Sequence, residues 1–427
     1  MLTEFHIGID DTDSQSRGCT TYTAAVLFQE LTARRIQASD FPWLVRLNPN
    51  IPWKTRGNGA TSIHLLVDEA QIETIQHLAL QITENTADMS ANGTDPAMVF
   101  LKGSVTESLR DFSSSALHEV LTVHQAQALA TKLCAECHLL KGTRGLIGAM
   151  AAIGAELDSL DHTFEIIAYR TKENLGTPRL VDEESIRAMN SKYDGRTFHN
   201  VDPESGRILV CPHGPDPVLI GITGRTPKDV KDAFGEVQVN EPIERITIFK
   251  TNQGTDAHLR QVKRVVDLSP HQSAVLQGRV ETVPRVLRGG HVVFRLSDDT
   301  GTVDCAAFAP TKSLARVTRD LLPGDRIRAY GGIRKHRAGT LTLNLEKIHV
   351  LDLIDKVYFQ NPLCASCGAR CESMGLGQDF RCRKCNTRIH KSGVIKTSTI
   401  RNLQRVVYTA AVGARRHLSS PDDQRAD

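Results

Sequence analysis

The sequence has no apolar run near the ~18 residues that a membrane-spanning helix needs, and its start, "MLTEFHIGIDD", lacks the basic and apolar regions of a secretory leader. A cytoplasmic protein is the expectation. Net charge is also nearly absent, since 52 Lys+Arg stand against 49 Asp+Glu. That balance hides a division. From Leu276 to Asp427 there are 26 basic and 14 acidic side chains, a net +12, and residues 1–275 keep 26 against 35, a net −9. An acidic front half joined to a basic rear half suggests chemistry in front and a polyanion held behind. A Walker A sequence is missing, so any phosphate handling must rest on other loops.

What is present is length: 427 residues allow three or four cores, because single cores stop growing near ~250–300 residues. A multidomain α+β chain is expected. Residues 1–110 read as a first α+β unit, with a buried strand over 3–9, an acidic loop and a helix from Thr20. Residues 111–262 read as a second α+β unit; the stretch 108–154, which spans its start, has a helical pattern that includes "CAECH" and is interrupted by "KGTRGLIGA". Residues 274–354 contain five short alternating segments with one helix-like stretch after the third, the order of an OB-fold barrel. A cysteine module at 360–398 follows, and 416–427 read as a disordered end.

Most of the ten cysteines lie in or near CxxC pairs, which in a reducing compartment favours metal thiolates over disulfides. Cys364, Cys367, Cys382 and Cys385 form two CxxC turns separated by fourteen residues, the spacing of a zinc ribbon. Four thiolates around one ion close the site and hold the fold without doing chemistry. Cys371 has no paired position and reads as a bystander. Cys134-Ala-Glu-Cys137-His138 has the haem-attachment spacing, but in a helical run of a chain without an export signal two small thiols on a helix face are expected.

"IGIDDTDSQSRGCTTY" places Asp10, Asp11 and Asp13 within four residues, where they repel one another unless a cation or a turn accommodates them. A Mg²⁺ ion held by one or two carboxylates is one answer, and an Asp-rich turn capping a helix is the other. "NPNIPWKTRGNGATS" offers Lys54 and Arg56 beside Gly57, Asn58 and Gly59, and "KGTRGLIGAMAAIG" offers Lys141 and Arg144 beside further glycines at a helix start. Each could embrace phosphate oxygens, although a glycine turn with solvated cations explains either alone. Together with the carboxylates they suggest a nucleoside triphosphate and Mg²⁺, with Thr20 or Thr21 as a hydroxyl near the metal. "CPHGPDPVLIG" sets Cys211, His213 and Asp216 in a rigid loop suited to a small cationic ligand, or in a structural turn capped by His213.

The ordered set "GIDDTDS…GCTTY", "LNPNIPWKTRGNGA", "RGLIGA", "CPHGPDPVLIGITGR", the OB region and the terminal cysteine module resembles the archaeal 2-agmatinylcytidine synthase family, which acts on an isoleucine tRNA, over residues 3–400. The resemblance implies an ATP-consuming kinase-like domain, a ferredoxin-like domain, an OB-fold and a zinc ribbon. It implies phosphoryl activation of the C2 oxygen of the wobble cytidine in a CAU anticodon, followed by attachment of agmatine. Asp10, Asp11 and Asp13 then fall on the Mg²⁺ and phosphate-handling residues, and Thr20 on a phosphorylated threonine. This chain's "SQSRGC" differs from the family's "SSRGMC", which keeps Thr21 as a second candidate. Lys54, Arg56, Lys141 and Arg144 would neutralise phosphate, and Asp216 with the Cys211 backbone would hold the agmatine guanidinium. Arg334, Lys335 and Arg337 would contact RNA phosphates, with Phe294 as a stacking platform. Two other readings explain part of the pattern. One is a non-catalytic single-strand binder built on the OB-fold and ribbon, which leaves the aspartates unused; the other is an ATP-dependent modifier of a different base.

Overall fold

The structure, a computed structural model, describes residues 2–336, 339–393, 395–399 and 401–421. The front of the chain forms β1 (Leu2–Asp10), α1 (Thr20–Ala33), β2 (Trp43–Arg46), β3 (Gly59–Asp68), α2 (Glu69–Thr86), β4 (Ala97–Lys102), α3 (Glu107–His118), α4 (Val123–Lys132), β5 (Glu136–Leu139) and α5 (Gly145–Ile153). It continues with β6 (Thr163–Arg170), α6 (Glu183–Lys192), β7 (Thr197–Phe198), β8 (Val218–Gly224), α7 (Pro227–Gly235) and β9 (Ile243–Thr251). These nine strands share one sheet in the order β5-β4-β1-β3-β2-β9-β6-β8-β7. Neighbours are antiparallel except β2 and β9, whose parallel pairing sets Trp43 opposite Lys250 and welds the two α+β units together.

Alternation along β1 explains the layering. Phe5, Ile7 and Ile9 point to one face and bury against Leu27 and Leu31 of α1 and Ile75 and Leu78 of α2. On the other face Gly8 lets α5 approach so closely that a Cβ there would lie 2.2 Å from the Ala149 carbonyl oxygen. The small residues of α5 thus press its start against the end of β1, where the aspartates begin. An Asp68–Gln71 capping box starts α2.

Two expectations shift here. The boundary drawn at residue 110/111 cuts through the first unit, because β5 pairs with β4 and the Leu146, Ala149 and Ile153 face of α5 packs on Val99 and Leu101. "CAECH" is not helical: Cys134 sits in a turn at φ 52° and Cys137 lies in β5. A four-residue edge strand is too short to register in a sequence pattern.

The rear half opens with β10 (Val262–Lys263), β11 (Ser273–Val280), β12 (Arg285–Val286), β13 (Val292–Ser297), β14 (Thr302–Ala307), α8 (Ser313–Arg319), β15 (Arg326–Lys335) and β16 (Leu341–Asp352). Strands β11 and β13 pair at Arg279 and Ser297 and close a five-stranded OB barrel, with α8 after its third strand as expected. The cysteine module hangs from a two-stranded stem of β17 (Lys356–Gln360) and β21 (Ile395–Thr399), with β18 (Glu372–Ser373), β19 (Phe380–Arg381) and β20 (Arg388–Ile389) between them. The chain then returns, and β22 (Val407–Thr409) pairs with β16. Asn48 donates to the His271 carbonyl at 2.8 Å and Asn50 to the Ser273 hydroxyl at 2.9 Å, which bolts the barrel to the front half.

The disordered end is corrected for residues 416–421: Leu418 is 1% exposed and Ser420 donates its N–H to Asp256 at 2.9 Å. Residues 422–427 lie outside the described residues.

Candidate active site

The acidic loop leaves β1 through a left-handed turn at Asp11, φ 56°, a conformation that costs a non-glycine residue about 1–3 kcal/mol. The loop is held by the Asp88 N–H donating to the Thr12 carbonyl at 3.0 Å and by the Thr94 hydroxyl donating to the Asp13 carbonyl at 2.9 Å. Gly18 closes it at φ 77°, where a Cβ would meet the Thr12 carbonyl oxygen at 2.6 Å. Helix α1 then begins at Thr20 with no side chain capping its first turn. Thr12 donates its N–H and hydroxyl to Oγ1 of Thr20, at 3.4 and 3.2 Å.

Asp10, Asp11 and Asp13 line a cavity of about 100 Å³ together with Lys54, Gly57, Asn58, Gly59 and Arg144. Both basic loops thus reach the carboxylates, with differences from the sequence reading. The glycines at the start of α5 make room for acid groups: a Cβ on Gly148 would lie 2.0 Å from the Asp10 carboxylate, and one on Gly142 would lie 2.1 Å from that of Asp95. Arg144 is held by Asp95 at 3.1 Å. Lys141 instead donates to the Ala91 carbonyl on the exposed surface and does not line the cavity. Asn58 braces its loop, donating to the Asn48 carbonyl at 2.9 Å, and Lys54 donates to the carbonyls of Pro49 and Ile51 at 2.7 and 3.2 Å.

Burial pushes the Asp10 carboxyl well above the usual range, and the charges of Asp11 and Asp13 add to the rise. Asp11 is pushed up to about 6 by burial and then by Asp13, against the pull of Arg144. Burial also raises Asp13, although Arg56 lies 3.0 Å away. This site would gain from a cation. Its three carboxylates do not converge on one point, since among the described residues only the four cysteines bring three or more ligand atoms within 4.8 Å of one another. The donor set therefore suits an ion that takes one or two carboxylates and keeps its other positions for water or phosphate.

A second cavity, about 380 Å³, shares Asp13, Gly57 and Gly59 with the first and is walled by Thr20, Thr21, Arg46, Arg56, Glu165, Phe198 and Asp216. Arg56 spans the junction, reaching Asp13 at 3.0 Å and Asp216 at 3.1 Å. Asp216 also meets Arg179 at 3.5 Å. Cys211 and His213 line a hollow beside Arg179, the partner of Asp216, and do not themselves line the second cavity. Sequence reasoning missed Arg46, Glu165 and Asp95; Arg46 stands one residue before the quoted "LNPNIPWKTRGNGA" at the end of β2, Glu165 and Asp95 are single charged residues in a strand and a loop, and only the fold brings them to the cavities or their walls.

In the rear half Phe294 is 1% exposed inside the barrel core, which rules out its expected role as a stacking platform. It occupies an inward position of β13. Arg334 is half-buried and donates to the Asn50 carbonyl at 3.2 Å, Lys335 is exposed, and Arg337 lies outside the described residues. In the cysteine module Sγ of Cys364 is 3.4 Å from that of Cys385, and Cys367 is 3.4 Å from Cys382. Gly368 and Asn386 follow the two CxxC turns at φ 69° and 59° and donate N–H to the carbonyls of Cys364 and Cys382, so the two turns match. Cys371 is buried beside the group without joining it.

Four family models match: the TiaS TCKD domain over residues 6–75, the TiaS FLD domain over 143–258, an OB-fold nucleic acid binding domain over 274–351 and the TiaS C-terminal zinc ribbon domain over 361–403. The isoleucine tRNA 2-agmatinylcytidine synthetases TiaS of Thermococcus sibiricus and Pyrococcus horikoshii are both 41% identical, over 98% and 97% of this chain and 96% of each relative. A crystal structure of TiaS in complex with isoleucine tRNA and ATP is similar at a TM-score of 0.88 and 37% identity, covering 99% of both chains. That of TiaS with the tRNA, AMPCPP and agmatine gives 0.85 and 34%, again over 99% of both.

Proposed function

We infer the activity from one premise: the chain belongs to the TiaS family of isoleucine tRNA 2-agmatinylcytidine synthetases. It is an ATP-dependent ligase that attaches agmatine to C2 of the wobble cytidine in the CAU anticodon of the isoleucine tRNA. Within the residues, the observation that supports this best is the meeting of two cavities at Asp13, Gly57 and Gly59, one carrying the carboxylates and phosphate-loop candidates, the other Thr20 and further carboxylates.

A pyrimidine C2 oxygen is a poor leaving group, so a phosphoryl group from ATP is first placed on it. The amine of agmatine then attacks C2, and the oxygen departs with its phosphate. Lys54, Arg144 and the backbone of Gly57–Gly59 neutralise and orient the phosphates in the first cavity, and Arg56 does so at the junction. One or two of Asp10, Asp11 and Asp13 would hold Mg²⁺, which would supply positive charge to offset that of the phosphates during transfer. Thr20 stands at the start of α1 as the hydroxyl able to receive a phosphoryl group, with Thr21 as its neighbour. Agmatine lies in the second cavity, where Asp216 and Glu165 offer carboxylates to its guanidinium.

The target base must leave the anticodon stack to reach this junction. The barrel and ribbon hold the RNA, with Lys335 and Arg334 among the contacts to its phosphates, and we place the whole reaction in the cytoplasm. Mass spectrometry of the anticodon nucleoside after incubation with ATP, agmatine and the tRNA transcript tests the reading. An adduct of agmatine mass is expected. Folded enzyme that leaves the cytidine unchanged would refute it.

A further inference from the structure

The segment that returns from the ribbon ends as a strap across the junction of front half and barrel. Its backbone is fastened on one side: Gly254 donates to the His417 carbonyl at 2.9 Å, Asp256 to the Leu418 carbonyl at 2.7 Å, and Ser420 to the Asp256 carboxylate at 2.9 Å. Lys347 of β16 ties Asp256 to the barrel. Because the backbone and Leu418 carry the attachment, the side chains of Arg416 and His417 are left to face a third cavity.

That cavity, about 250 Å³, is walled by Arg46, Lys54, Arg56, Arg416 and His417 with the backbone at Gly57 and Asn58, and no carboxylate lines it among the described residues. It shares Lys54, Gly57 and Asn58 with the acidic cleft and Arg46, Arg56, Gly57 and His417 with the second cavity. Its cations are unevenly balanced. Arg56 is neutralised by Asp13 and Asp216, and Arg46, which bonds the Gln253 amide at 3.1 Å, also feels the Glu165 carboxylate. Lys54, in contrast, bonds only carbonyls, Arg415 bonds the Ala410 carbonyl at 2.9 Å, and Arg416 approaches Glu346 at 3.8 Å. The crowding registers in the side chains. Burial, then Arg416 and Arg334, lower Lys54, and the charge of Arg46 holds the His417 imidazole below its ordinary range. Like charges that line one cavity repel until an anion enters.

We propose that this cavity binds a phosphate group through Arg46, Lys54 and Arg416, with the strap completing the site and His417 bordering it. The assignment rests on the reading of the chain as a ligase that brings RNA and ATP to the same junction. Both carry the required chemistry, as a phosphodiester of the RNA strand or as the triphosphate.

The test titrates the full-length chain and its R416A and R416K variants with tRNA transcript and, separately, with ATP and Mg²⁺, each at several salt concentrations. R416A is expected to weaken one of the two ligands about tenfold, and R416K to restore most of it. Loss confined to tRNA, with the slope of log affinity against log salt reduced by about 0.7–0.9, identifies an RNA phosphate. Loss confined to ATP identifies the triphosphate. Unchanged affinities for both ligands overturn the proposal. So does loss of both that R416K fails to restore, which would make the strap a structural brace alone. The titrations need no agmatine chemistry, so a missing adduct in the wild-type reaction would refute the ligase assignment while leaving their outcome readable.

Discussion

The acidic cleft and the cysteine module are both built to hold cations, and they differ in closure. In the module four sulfurs lie within 4.8 Å of one another, and matched turns at Gly368 and Asn386 aim them inward. One ion satisfies every donor, which leaves nothing to react with. In the cleft the carboxylates are spread along a strand end and loop, their pKa values raised by burial and mutual repulsion. An ion there would leave coordination positions open, facing Lys54 and Arg144. A site that completes itself stabilises a fold; one that stays incomplete waits for a substrate.

The sharpest way to break this contrast is to remove one cleft carboxylate. Asp11→Ala should lower ATP turnover by at least ~10³-fold while tRNA affinity changes less than ~10-fold, read by phosphate release and filter binding. Equal loss of both would mean that Asp11 supports the fold and not the chemistry. Gly148→Ala comes next. Its methyl must displace the Asp10 carboxylate 2.0 Å away, and kcat should fall about 10²-fold with the melting temperature down only a few degrees.

The module should behave in the opposite sense. Removing residues 361–394 should weaken tRNA binding about 10-fold or more and leave ATP cleavage within about threefold. Removing 361–427 should damage both, because that cut also takes β22 and the strap. The smallest effect is on pH. Asp11 has its pKa raised from 3.8 to about 6, so the folded chain binds that proton more tightly than the unfolded chain does. Without divalent ions, stability should therefore fall as pH rises from about 4 to about 6 and level off above, while Mg²⁺ affinity rises across the same window. Asp11→Asn should flatten both curves, measured by thermal melts and calorimetric titration.

Local signals explain which parts could be read in advance. The start of α1 at Thr20, the OB strand order and the cysteine pairing depend on neighbours in sequence, and all three stand in the structure. Failures came where distant segments decide the outcome. Phe294 alternates correctly but faces the core, because one strand's pattern does not say which face is inward. Residues 416–421 look polar and unstructured, yet they are ordered by backbone bonds to a loop more than 150 residues earlier, as Ser420 and Asp256 illustrate with a separation of 164. The glycines at 142 and 148 read in sequence as part of an anion-binding loop or a glycine turn; that the carboxylates of Asp95 and Asp10 take the space beside them is decided by the fold.

The most direct measurement is a crystal soaked with ATP and Mn²⁺ in place of Mg²⁺, where anomalous scattering locates the ion. The expected map has the ion against one or two of Asp10, Asp11 and Asp13, with the triphosphate running toward Lys54, Gly57–Gly59 and Arg144. A nucleotide bound in order elsewhere, with those carboxylates untouched, would contradict it.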